Sequence, residues 1–138
     1  MTLQPFDVSP RGYSQSVAVD LADTARLVFV SGQVALDEDG AIVGEGDFEV
    51  QCRHVFSELQ RRLAAAGARL EHVAKLTVFV RDFSSYAVLV AVRKELFPAG
   101  SPPASTAVAV DGLVDERLLI EVEAIAAVPV AARSGGAE

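Results

Sequence analysis

Two stretches of the chain carry the three- and four-residue spacing of an amphipathic helix. The first begins near Asp47, a good N-cap, and stops at Gly67, a good C-terminal glycine. Phe48, Cys52, Val55, Phe56, Leu59, Leu63 and Ala66 form its apolar stripe, while Glu49, Arg53, Arg61 and Arg62 fall largely outside it. The second runs from about Phe83 to Phe97, with Asp82 or Ser84 as cap and Pro98 as stop. Leu89, Val92 or Arg93, Leu96 and Phe97 share its inner side, with Tyr86 nearby. Runs rich in β-branched residues predict strands at 17–21, 27–34, 73–80, 106–110 and 118–128. Asp37-Glu38-Asp39-Gly40 reads as a turn between two extended pieces. The order is β-β-α-β-α-β-β, an α+β fold with one sheet and two helices on one face.

Two helices can cover only one face of such a sheet. Leu76-Thr77-Val78-Phe79-Val80 and the segment 120–128 are nevertheless apolar on both alternating faces. A second apolar face of that size on a monomer would be an exposed patch, so a partner subunit is expected to cover it.

Composition narrows the class. Of 138 residues, 51% are hydrophobic and 22% charged, which fits one globular domain over residues 1–130 and excludes a disordered or low-complexity chain. The segment 131–138 (Ala-Ala-Arg-Ser-Gly-Gly-Ala-Glu) reads as a flexible tail. A net charge of −7 argues against a nucleic-acid partner, since phosphate-backbone binders carry basic surfaces. Cys52, the one cysteine, has no internal disulfide partner, which suits a reducing compartment. The first residues lack the basic start and apolar core of a signal peptide, and no apolar run approaches the ~20 residues that cross a bilayer. The expectation is a cytoplasmic protein with no membrane partner.

Glu121 and Glu123 are the most informative charges. They point to one side of a strand and interrupt an otherwise apolar run. Either is a partly desolvated carboxylate able to hold or deprotonate a water, or a group facing solvent or an intersubunit ion pair. Tyr13-Ser14-Gln15 and Ser31-Gly32-Gln33 are small polar clusters beside strands, and Gly32 permits close backbone approach; as turn chemistry alone both are structural. Pro102 and Pro103 fix an extended approach that holds Ser105 and Thr106 at a strand's start, where their hydroxyls contact a ligand or cap the strand. Cys52 and His54 face different ways on their helix, Cys52 as core filler, and His72 has no partner at ligand spacing, so no metal site is expected. Gly44-Glu45-Gly46 lacks the context of a dinucleotide fingerprint, and no cofactor is implied.

Taken together, these pieces resemble the RidA/YjgF family, long labelled L-PSP endoribonuclease, over about residues 5–128. The matching text is Gly12-Tyr13-Ser14-Gln15, Val30-Ser31-Gly32-Gln33, Gln51, Ala65-Ala66-Gly67, the run from Val73 to Asp82, Pro102-Pro103-Ala104, and Ile120 to Ala126. The resemblance implies a chorismate-mutase-like fold and a homotrimer with small-molecule pockets between subunits. It implies cofactor-independent hydrolysis of reactive enamines or imines to a carbonyl product and ammonia. Glu121 and a backbone carbonyl then orient the attacking water, and Tyr13 and Ser31 line the pocket, with Gly32, Ser105 and Thr106 as the further candidates for ligand contact. The deaminating members have an arginine that clamps the substrate carboxylate where this chain has Ser105. Exchanging a bidentate guanidinium for a hydroxyl removes roughly 2–4 kcal/mol of binding, or roughly 30- to 1000-fold. That implies an altered substrate range, or alternatively a trimeric metabolite-binding module without catalysis; the charge speaks against ribonuclease activity. Ser105→Arg is expected to restore the clamp, unless other side chains refill the pocket. Arg93 is the one to watch: on its helix it reads as a solvated charge, or else it reaches the pocket and binds the carboxylate itself.

Overall fold

Alternation along β4 (Val73–Val80) sorts the sheet into two unlike faces. Leu76, Val78 and Val80 are buried, whereas Thr77 and Phe79, between them, point the other way. The computed structural model describes residues 3–21 and 25–130. The other strands are β1 (Leu3–Ser9), β2 (Tyr13–Val19), β3 (Ala25–Val34), β5 (Ala104–Ala109) and β6 (Ile120–Pro129). They form one sheet in the order β1-β2-β5-β4-β6-β3, in which β2 with β5 and β5 with β4 are parallel and the other pairs antiparallel. The helices are α1 (Phe48–Ala65) and α2 (Tyr86–Leu96). Among the described residues, no helix is long and apolar enough to cross a membrane. The tail expected at 131–138 lies outside the described residues.

The helices seal one face. Val55, Phe56, Leu59 and Leu63 of α1 and Leu89 and Val92 of α2 share a core with Leu76, Val78, Ile120, Val122 and Ala124 of the sheet. Asp47 caps α1, its Oδ1 accepting from the Val50 amide at 3.1 Å, and Gly67 beyond its end takes φ +79°. Before α2, Asp82 accepts from the Ser84 amide at 2.9 Å in a local turn, so the helix starts later than expected, with Ser85 at the cap position. Phe97 is extended, as a residue before proline should be, and closes the helix.

The opposite face is bare. Phe29, Leu27, Ile125 and Val108 are 70%, 45%, 36% and 39% exposed. Ladder partners Phe29↔Ile125 and Phe79↔Val108 place them on one surface with Thr77, Glu121 and Glu123. The apolar second face expected from the sequence is therefore present.

The structure adds one element and moves others. β1 is an edge strand, half of a hairpin with β2, and most of its residues are exposed, so no inward pattern marks it. β2 starts at Tyr13 rather than at residue 17, and β5 at Ala104 rather than 106. Tyr13-Ser14-Gln15, Ser105 and Thr106 thus belong to strands.

Gln51, fully buried in α1, ties the loops that frame the sheet. Its Nε2 donates to the carbonyls of Arg117 (2.9 Å) and Gly44 (3.3 Å), and its Oε1 accepts from the Leu119 amide (2.8 Å). Gln51→Leu leaves these groups without partners and should lower unfolding stability by about 2–4 kcal/mol. Guanidinium unfolding checks this; an unchanged midpoint would mean that water replaces the amide.

Candidate functional site

Position Ser14 fastens two strands at one point. It is buried, its hydroxyl donates to the Pro102 carbonyl, and its amide donates to the Pro103 carbonyl at 2.8 Å. Ser14↔Ala104 is the one register pair between β2 and β5. Beyond it the strands part, and β5 borders a cavity of about 580 Å³ lined by Tyr13, Ser105, Thr106, Phe83, Tyr86 and Arg93, among others. Ser105 and Thr106 follow the prolines at the start of β5 and border this cavity.

Arg93 is not a solvated helix charge. It is 1% exposed. Its Nη1 donates to Ser105 Oγ at 3.2 Å and its Nη2 to the Arg11 carbonyl at 2.9 Å. The guanidinium lies 5.4 Å from the Tyr13 ring centroid and 6.0 Å from that of Tyr86, within cation–π range. Tyr86 in turn meets Phe83 edge to face, with centroids 5.7 Å apart. The space that a Ser105→Arg side chain would need is therefore already served by a guanidinium, and a second one would meet like charge. The signal for Arg93 was in the sequence: it follows Leu89 by four residues and so lies on the inner stripe. The general preference of arginine for the surface outweighed it.

Glu121 belongs to a second locus. Its ladder partner on β4 is Phe79, on the bare side of that strand, so Glu121 points to the bare face. Ser105 pairs with Leu76, whose side chain is in the core, and so faces the helices. Within one protomer the sheet separates them. A Cβ added at Gly32 would come within 2.7 Å of the Glu121 carboxyl carbon, so the carboxylate lies against the bare backbone there. Ser31 is exposed, and its carbonyl accepts from Gln33 Nε2 at 3.0 Å. Thr106 accepts from Lys75 Nζ at 2.7 Å. The candidates thus form two groups: Tyr13 and Ser105 around Arg93, and Glu121 with Gly32, beside Ser31; Thr106 borders the cavity but pairs with Thr77, on the bare side of β5. Glu123, across from Thr77, is exposed on the same face as Glu121.

Neither histidine is placed for chemistry. Nε2 of His54 donates to the Leu36 carbonyl at 2.8 Å, and Nδ1 of His72 accepts from the Arg69 amide at 2.9 Å. Cys52 fills the core, and burial pushes its thiol up to about 12, which keeps it protonated and inert.

Comparison with known proteins matches this chain, over residues 7–128, to the family model described as Endoribonuclease L-PSP. The chain belongs to that family, the RidA/YjgF proteins. A RutC family protein of Synechocystis is 34% identical over 91% of either chain. The 3-aminoacrylate deaminase RutC of Acinetobacter baylyi is 38% identical over 73% of this chain and 79% of its own. Among solved structures, a Rid-family protein of unknown function from Yersinia pestis superposes with a TM-score of 0.79 at 28% identity, covering 93% of this chain and 98% of that one. RidA from an Antarctic Psychrobacter gives 0.67 at 30% identity, covering 91% and 94%. The six-stranded sheet with two helices is thus the RidA/YjgF fold.

In this RidA/YjgF chain, Gly32→Ala should fold normally, because Gly32 does not have a positive φ. Its methyl group should push the Glu121 carboxylate aside. A crystal structure of the variant checks this; a carboxylate left in place would mean that the backbone yields instead.

Proposed function

We propose that this chain is a cofactor-independent hydrolytic deaminase of small reactive enamines or imines, working in pockets between the subunits of a homotrimer. The separation of the two loci carries the reading. A guanidinium cavity faces the helix side of β5, and a carboxylate faces the bare side of β6. A pocket that uses both needs a second copy to bring one locus to the other. The exposed strip of Leu27, Phe29, Val108 and Ile125 supports such a contact, since an interface core is apolar. The similarity to a protein named 3-aminoacrylate deaminase supports the reaction class. The net charge of −7 goes with a small-molecule ligand rather than a nucleic acid.

The chemistry needs little machinery. An enamine first takes a proton on carbon to become the imine. Water then adds to the C=N carbon while Glu121 accepts its proton, and the nitrogen is protonated. Collapse of the carbinolamine forms the C=O bond and expels ammonia, so imine plus water gives carbonyl plus ammonia. Glu121 is the base, fixed in direction by the bare backbone of Gly32. Tyr13, Ser31, Gly32, Ser105 and Thr106 shape the pocket. The serine at position 105 sets a substrate range different from that of members with an arginine there.

Glu121→Gln is nearly isosteric and should reduce turnover of freshly generated imines by ~10²-fold or more while the fold survives. A coupled assay of ammonia release, read against the buffer rate, checks it. Unchanged turnover in the variant would remove Glu121 from the chemistry. Wild-type rates equal to buffer would favour a trimer that binds a metabolite without converting it.

A further inference from the structure

We infer that Arg93 is the anion receptor of this protein: its buried guanidinium holds the carboxylate of a small 2-oxo or 2-imino acid in the fork between β2 and β5. The inference deepens the proposed function and rests on the same cavity as its pocket. A guanidinium stays charged, and burying a cation without a counter-charge is costly. Arg93 is nonetheless 1% exposed. Both of its hydrogen-bond acceptors, Ser105 Oγ and the Arg11 carbonyl, are neutral, and its buried Nε has no partner. Among the described residues no carboxylate pairs with it, in a chain where Asp and Glu outnumber Lys and Arg by 19 to 12. Surface acids are plentiful, yet within one protomer none of the described ones reaches Arg93, so its missing counter-charge points to a ligand that supplies it.

The surroundings specify which anion. The rings of Tyr13 and Tyr86 flank the guanidinium at 5.4 and 6.0 Å and hold its position while leaving it charged. Among the described residues no acidic side chain lines the cavity. A planar fork of N–H donors matches a carboxylate in two parallel bonds, which a tetrahedral or neutral group does not use as well. Arg93 thereby takes the role that the family resemblance puts at position 105. Ser105 becomes a positioning residue, whose hydroxyl receives one N–H and orients the rest.

Calorimetric titration with pyruvate, and with methyl pyruvate as its neutral counterpart, tests this without requiring turnover. Wild type should bind pyruvate at least ~30-fold more tightly than the ester, the scale of hydrogen bonds to charged groups. Arg93→Met should remove that preference and leave ester binding unchanged. Arg93→Lys, which keeps the charge but loses the fork, should fall by ~10-fold. Adding Ser105→Arg to Arg93→Met should restore pyruvate binding, which a merely structural arginine would not allow. Wild type without preference for pyruvate, or a folded Arg93→Met variant that retains it, would overturn the inference. Should Arg93→Met fail to fold, Arg93→Lys decides, and unchanged affinity there overturns it. Pyruvate binding without any imine turnover would defeat the deaminase reading alone. Turnover of neutral imines without pyruvate binding would defeat the role of Arg93 alone.

Discussion

The two hydrogen bonds from Ser14 to the carbonyls of Pro102 and Pro103 hold β2 against β5 at one point, and the site depends on that limit. Were the strands paired along their length, the free edge of β5 would vanish and the cavity with it. Because they are pinned and then part, α2 can send Arg93 up between them to Ser105. Two rigid prolines and one buried hydroxyl therefore set the geometry of a cationic cavity on an acidic protein. Short polar groups fix the frame, and a long charged one occupies it.

The second determinant is the inequality of the sheet's faces. α1 and α2 seal one side around Leu59, Leu76 and Ile120, and the other side carries Phe29 at 70% exposure. Alternation then places Glu121 opposite to Ser105 whatever the loops do, since strand neighbours diverge by pleat alone. The same pattern that buries the core divides the polar groups between two surfaces. In the proposed trimer, association would bury apolar area and complete the site in one step.

The sequence was legible where a pattern is local. Asp47 and Gly67 bound α1, and the apolar runs of β4 and β6 announced both a core face and a bare one. It was less legible where meaning lies in a distant partner. β1 has Pro5 and mostly exposed residues, and only its pairing with β2 makes it a strand. Ser14 looked like turn chemistry until Pro102 and Pro103 came alongside. Arg93 stood on the inner stripe of its helix, but composition speaks for solvent, and only the fold brings the Tyr13 and Tyr86 rings and Ser105 around it. In the proposed site the residue that would compensate for Ser105 lies on α2, which no pattern around position 105 reveals.

The central claim is that the working site joins the Arg93 locus of one protomer to the Glu121 locus of another. Arg93→Met and Glu121→Gln chains, each inactive on a carboxylate-bearing imine, should be unfolded together at equal amounts, refolded and assayed. Random pairing across a cyclic interface rebuilds about a quarter of the sites from two intact halves, so activity should return to about that fraction of wild type. A mixture of well-folded chains that stays as inactive as either variant alone would contradict the account.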